Sequence, residues 1–321
     1  MSKKYPIPRI CIIISYFGKL PTYFSVWKKS CEYNSMIDFM VFTDIEKPEL
    51  SANIKWINMD LKDLKNLAEE KLGMRIKLDT PYECCDFKAV YGTIFEDYLS
   101  KYDYWGYCDM DMVFGDLAWW FYKLNLSKYD KFLGLGHLTL MRNTKENNER
   151  YKLPCTPGKG YKDAFLSEGS THFCEGEINR IYNCYGFPFF EKRICADISA
   201  EFERLRVGGN YPDYKHQAFF WQNGKVWRVY RRWNTVGIFR KMELEEFAYI
   251  HFQKRKMKEP QFDVEHTNAF YICPHEFVEK NTIGYPSINE IKKMNPYRGK
   301  LFETIEKVKY FALVRAFNKQ Q

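Results

Sequence analysis

Two carboxylates one residue apart, Asp109 and Asp111, interrupt the otherwise aromatic, apolar or small run WGYCDMDMVFGDL at 105–117. A carboxylate placed in a buried strand costs several kcal/mol unless something compensates it, so the pair calls for a cation. In a continuous strand, residues i and i+2 point to the same face about 6.6 Å apart. One divalent ion near the strand end could then be held by one carboxylate directly and by the other directly or through water. Open α/β sheets bind ligands beyond the carboxyl ends of their strands, which is where this pair falls. The alternative is two aspartates that cap a turn.

A second constellation is YIHFQKRKM at 249–257. His251 near the end of a predicted strand offers a neutral imidazole to a metal, and Lys254, Arg255, Lys256 and Lys258 offer cations to phosphate oxygens. An isolated histidine is more often a satisfied core residue. Here the basic cluster beside it and the aspartates upstream favour the ligand reading. Lys88 lies on the predicted helix that leads to the aspartate strand; it either reaches the phosphates or stays solvated.

Elements that would position these groups can be read from hydrophobic periodicity. RICIIISYFG is a β-branched run ending at Gly18, as in a buried strand of a parallel sheet. PTYFSVWKKSCE carries Tyr23, Val26, Trp27 and Ser30 at helical intervals, and IDFMVFTD and NIKWINMD read as the next strands. Strand, helix and strand in that order predict a βαβ unit. CCDFKAVYGTIFEDYLSKYD predicts one helix with a single apolar face, YDYWGYCDMDMVF one strand, and Asp116 the N-cap of the helix LAWWFYKL. Further on, KFLGLGHLTLMRN is strand-rich, Asn223-Gly224 between alternating aromatic runs signals a hairpin, EEFAYIHF is a strand, and a helix begins at Lys300. The expected class is α/β, with a mixed, mainly parallel Rossmann-like sheet flanked by helices and an α+β C-terminal half sharing that sheet. The expected organisation is one domain over 1–321, with a nucleotide-sugar-binding half at 1–120, an acceptor-binding and catalytic half at 121–298, and a C-terminal helix at 299–321.

Ten cysteines show neither a CxxC pair nor zinc-ligand spacing, and several lie in apolar runs, which predicts reduced core thiols. No stretch reaches the roughly 18 apolar residues of a spanning helix. The expected location is therefore cytoplasmic, or peripheral on the inner face of the cytoplasmic membrane. A formal charge of +8 suits an anionic partner, either nucleic acid, an anionic membrane or a phosphorylated small molecule. No RNA-binding motif is visible. In LFETIEKVKYFALVRAFNK, Leu301, Ile305, Val308 and Ala312 share one side, with lysines elsewhere; the helix either packs against the domain, the favoured reading, or lies on an anionic membrane.

WGYCDMDMVFGDL resembles the DxD segment of glycosyltransferases of the GT-A fold, and CIIISYFGKLP, FTD and CDFKAVYG resemble bacterial members that build capsule and lipopolysaccharide. The resemblance implies a metal-dependent hexosyltransferase moving a sugar from a nucleotide-diphosphate sugar, UDP-sugar favoured, to an oligosaccharide or lipid-linked saccharide hydroxyl, with Mn²⁺ or Mg²⁺ as cofactor. It makes Asp109 a contact to ribose or metal, and Asp111 a direct metal ligand. His251 resembles the histidine of an HF-x-x-x-K element that completes the metal site, with Lys254 or Arg255 on the leaving diphosphate. Tyr16, Phe17, Gly18, Thr43 and Asp44 fall at strand ends that surround the nucleoside in such enzymes, and Lys88 joins them on the phosphate side. On the acceptor side, in THFCEGEIN, the family's acidic pair falls at Cys174-Glu175, so Glu175 is the candidate base, with Asp197 and Asp213 as rivals. Two alternatives stand beside this reading: a sugar-phosphate nucleotidyltransferase, for which SYFGKLP is a poor phosphate loop, and a non-enzymatic saccharide- or RNA-binding protein, which leaves the aspartates and His251 unexplained.

Overall fold

A computed structural model describes residues 5–318 other than 159, 170, 234–239, 254 and 283. The chain divides into two compact units: Met1–Leu20, Ser35–Met110 and Ala118–Arg193 form the first, and Pro21–Asn34, Asp111–Leu117 and Ile194–Gln321 the second.

The first unit is built on a seven-stranded, mainly parallel sheet. Its strands run Ile54–Asn58, Ile37–Thr43, Ile10–Ser15, Tyr104–Cys108, Leu138–Arg142, Lys131–Leu135 and Phe189–Phe190 in spatial order. The first four are mutually parallel, with Ile10 opposite both Ile37 and Tyr104. The next two pairings are antiparallel. Ile10 to Ile14 are all buried, as an uninterrupted β-branched run requires when both faces of its strand are covered. On one face Cys11, Ile13, Met40, Phe42 and Trp105 pack with Leu64 and Ala68 of the helix Leu61–Leu72. That helix is well specified at both ends, by a capping box between Asp60 and Asp63 and by Gly73 in the left-handed conformation.

The order of the strands reverses at Ile10–Ser15. Ile37–Thr43 and Ile54–Asn58 lie to one side of it and Tyr104–Cys108 to the other, which makes the carboxyl ends of Ile10–Ser15 and Tyr104–Cys108 a topological switch point.

The second unit holds two smaller sheets. One is five-stranded and antiparallel, in the order Arg240–Phe247, Lys225–Trp233, Gln217–Gln222, Ala269–Ile272, Phe277–Glu279. The other joins Met112–Phe114, Tyr249–His251 and Ala196–Asp197. The Asn223-Gly224 hairpin forms as expected, both residues having positive φ. Val113, Ile250, Trp221 and Phe270 lie in one apolar cluster of this unit.

Several expectations need correction. Tyr104–Phe114 is not one strand: the chain bends over 109–111 because Tyr104–Cys108 pairs with Ile10–Ile13 whereas Met112–Phe114 pairs with Tyr249–His251 in a different sheet. The same-face geometry expected of Asp109 and Asp111 in a continuous strand therefore does not apply. EEFAYIHF breaks likewise at Ala248, whose N–H donates to Ile194 and whose carbonyl accepts from Gly115, so that its two halves enter different sheets. The segment 84–99 is a chain of short pieces, Cys84–Phe87, Lys88–Val90, Tyr91–Ile94 and Glu96–Leu99. Residues 84–95 are buried or half-buried throughout rather than along one stripe, with Asp86 and Lys88 inside alongside Phe87, Tyr91 and Phe95, whereas Glu96, Asp97 and Tyr98 are exposed. The helix Phe24–Tyr33, between the first two strands, belongs to the second unit, where Val26 joins the apolar cluster. The strands after residue 121 divide: those in 131–190 add to the large sheet, whereas Ala196–Asp197 and Tyr249–His251 join the three-stranded sheet and the rest of 217–279 forms the five-stranded one. Cys155 and Cys184 form a disulfide, their Cα atoms 6.6 Å apart and within bridging range. The other eight cysteines are free thiols.

Candidate functional site

In the first unit, the groups expected around a nucleotide gather at the carboxyl ends of the parallel strands. After Ser15 the chain turns through Gly18, whose φ of +96° suits glycine and whose N–H donates to Asp44 Oδ1 at 2.9 Å. Asp44 follows the buried Thr43 at the end of the neighbouring strand, and Thr43 Oγ1 accepts from Ile45 N–H. The Tyr16 hydroxyl donates to the Lys19 carbonyl, and Phe17 packs on the unit's core. Asp44 is thus the acid that fixes the first loop.

Asp109 follows Tyr104–Cys108 directly. Its N–H donates to the His137 carbonyl at 3.0 Å, and its carboxylate accepts from Lys88 Nζ. Lys88 also donates to the Gly136 carbonyl at 3.2 Å. Burial opposes the charge on Lys88, but the negative charge of Asp109 and the hydrogen bond between them prevail and hold the lysine's pKa well above its ordinary value. Lys88 is therefore not a solvated lysine; its side chain is only 11% exposed, against 34% for Asp109.

Gly136 connects this pair to the acceptor-side candidate. Its N–H donates to Glu175 Oε2 at 2.9 Å. Glu175 precedes the helix Gly176–Cys184 and is 40% exposed, with His172 Nδ1 3.5 Å from its other oxygen. The loop that carries it is fastened by the buried Asp86, which accepts from Thr171 N–H at 2.6 Å and Phe173 N–H at 2.7 Å. Sequence reasoning missed Asp86; a buried acid in an aromatic segment was the available signal.

In the second unit, register does the positioning. His251 stands opposite Met112 on one side and opposite Asp197 on the other. Asp111, one residue before Met112, lies with Oδ1 3.3 Å from His251 Nε2, and Asp197 Oδ1 lies 2.8 Å from His251 Nδ1. The Asp111 carbonyl accepts from Phe252 N–H at 3.1 Å, and Gln253 Nε2 donates to Asp197 at 3.2 Å. A carboxylate facing Nδ1 sets that nitrogen as the donor. In a neutral ring Nε2 then presents its lone pair toward Asp111. Two acceptors converge there, and the arrangement needs either a second proton on the ring or a cation. The donor set, carboxylate oxygen with imidazole nitrogen, suits Mn²⁺ or another borderline-hard divalent ion.

The other predicted residues are engaged elsewhere. Arg255 donates to the carbonyls of Ser199, Phe202 and Glu203, and burial lowers its pKa to about 10. Asp213 pairs with Arg204 and accepts from Gln217. Lys254 lies outside the described residues. A cavity of about 560 Å³ in the second unit is lined by Arg204, Lys293, Arg298 and Glu306 among others. Of the cations predicted for phosphate, Lys258 lines it, with Nζ 3.5 Å from Glu276.

Residues 12–281 match a family model described as a family of unknown function, DUF6625. The chain belongs to that family. No curated protein matches it.

Proposed function

We propose that this chain is a metal-dependent glycosyltransferase that uses a nucleotide-diphosphate sugar, with UDP-sugar as the favoured donor and a saccharide hydroxyl as acceptor. The observation that carries the reading is the convergence of Asp111 Oδ1 and His251 Nε2, 3.3 Å apart, with Asp197 on the far nitrogen of the ring. Metal-ligating histidines characteristically donate their second ring N–H to a carboxylate, which fixes the tautomer. Asp111 and His251 are the proposed ligands, and we assign Asp197, an alternative to Glu175 as the acceptor base, to orienting His251. The switch point of the parallel sheet, with Gly18, Asp44, Lys88 and Asp109 at its carboxyl end, supports a nucleotide in the first unit.

Glycosyl transfer breaks the bond between the anomeric carbon and a phosphate oxygen, and the leaving diphosphate gains negative charge. A bound divalent ion would supply electrostatic stabilisation of that charge. In the first unit, Lys88, kept cationic by Asp109, is the proposed cation for nucleotide phosphate, and Asp109 takes the role at ribose that the GT-A resemblance implies. Glu175, fixed by the Gly136 N–H and accessible to solvent, takes the acceptor proton if the reaction inverts configuration; retention needs no dedicated base.

Release of UDP from UDP-sugars tests the proposal. Wild-type protein should release UDP only with Mn²⁺ or Mg²⁺, and Asp111→Asn and His251→Ala should lower the rate at least about 100-fold. Release that persists in EDTA, or that either variant leaves unchanged, overturns it.

A further inference from the structure

The helix Lys300–Asn318 is held to the second unit by ion pairs and hydrogen bonds of one side, which carries both its acids. Glu303 accepts from Arg204 and Arg206, Glu306 accepts from Glu203 N–H at 3.3 Å, and Lys307 pairs with Glu201 at 3.3 Å. Among residues 300–314, Phe302, Glu303, Glu306, Tyr310 and Val314 are the half-buried positions. An ordinary surface helix does the reverse, turning its apolar stripe to the core and its charges to water. Here Leu301, Ile305 and Val308 are 76%, 44% and 64% exposed, and Ala312 is exposed beside them. At about 100° per residue these four fall within an arc of about 60°. Phe311 and Leu313, 43% and 71% exposed, widen the stripe on its two sides.

Charge is sorted across the same helix. Its acids among residues 300–314, Glu303 and Glu306, lie on the packed side, whereas Lys300, Lys307 and Lys309 are exposed. Lys300 and Lys309 make no ion pair among the described residues. An apolar stripe bordered by lysines, with its acids turned away, complements a surface that is apolar in depth and anionic at its head groups. A second copy of the chain would have to bring its own acids to such a face.

We infer that the Lys300–Asn318 helix is an interfacial anchor: its Leu301–Ile305–Val308–Ala312 face inserts at the head-group boundary of an anionic lipid bilayer, with Lys300 and Lys309 on the head groups. This gives the polar packing of the helix a purpose. It holds the helix in place while leaving the apolar face outward.

The test is flotation of the full-length protein with vesicles of phosphatidylcholine alone and of phosphatidylcholine with phosphatidylglycerol. Two double variants accompany it, Ile305→Gln with Val308→Gln and Lys300→Gln with Lys309→Gln, each shown by thermal melting to keep the wild-type fold, as substitutions at exposed sites should. Wild type is expected to float with anionic vesicles and not with phosphatidylcholine alone, to dissociate partly as salt rises, and to lose about tenfold or more in bound fraction with either variant. Failure to float with anionic vesicles overturns the inference. So does binding that neither variant weakens. So too does a vesicle-free dimer on size exclusion that the Ile305 and Val308 changes convert to monomer, since the face would then belong to a second copy.

Discussion

His251 carries more of the proposed chemistry than any other side chain, because each of its ring nitrogens faces a different carboxylate. The two carboxylates have separate tasks, and substitution should separate them. Asp197→Asn keeps the size of the side chain and a weaker acceptor, so it should preserve the fold and lower Mn²⁺ affinity by about 10- to 100-fold. Calorimetric titration with Mn²⁺ measures this; an affinity equal to wild type would remove Asp197 from the site. Lys88 makes a separate prediction in the first unit. Lys88→Met takes away the cation on Asp109 and should weaken UDP binding by about 5- to 20-fold, as loss of one charge-assisted contact does, with little change in melting temperature because Asp109 can turn to water. These roles were partly legible in the sequence. Asp109, Asp111 and His251 stood out as charges among apolar neighbours, but Asp197 and Asp86 look alike in sequence, each an acid in a mixed segment. Only the strand register that sets Asp197 opposite His251, and the loop that closes on Asp86, give them different partners.

At the scale of elements, local pattern foretold the strands Ile10–Ser15, Ile37–Thr43 and Ile54–Asn58 and the Asn223-Gly224 hairpin, because β-branched runs and an Asn-Gly turn impose their conformations locally. The breaks at 109–111 and Ala248 were not legible. They arise from a change of pairing partner, which no local propensity encodes. The hairpin offers an element-scale test. Gly224 has φ +76°, and a Cβ there would come within 2.2 Å of the Tyr33 ring. Gly224→Ala should therefore cost about 1–3 kcal/mol in urea unfolding. Gly176→Ala, where a Cβ meets nothing within 4 Å, should stay within about 0.5 kcal/mol of wild type. Equal costs at the two sites would contradict the assigned turn.

For the whole molecule, Lys131 links stability to pH. It is fully buried between Leu133 O and Asn179 Oδ1, each 2.7 Å from Nζ. Burial lowers its pKa to about 7, with the charges of Glu191 and Glu175 among the opposing influences. The unfolded chain holds this proton up to about pH 10, so between about pH 7 and 10 the unfolded state binds more protons than the folded one. The contribution of Lys131 to stability is complete above about pH 10 and is lost as pH falls toward 7. Urea unfolding of Lys131→Met should therefore show a shallower rise in stability over that range than wild type; parallel pH profiles would contradict it. The net charge of +8 suits both anionic partners proposed, a nucleotide diphosphate and a lipid surface. Charge alone did not distinguish them; the placement of Lys88 and of Lys300 and Lys309 in separate surroundings does. A metal at Asp111 and His251 is read out by thermal melting with UDP, with and without Mn²⁺, on wild type and Asp111→Ala. UDP and Mn²⁺ together should raise the wild-type melting temperature by about 3–8 °C, far more than either alone, and should leave Asp111→Ala unmoved. A shift that needs no metal, or that survives in the variant, would show that Asp111 and His251 hold no metal with the nucleotide.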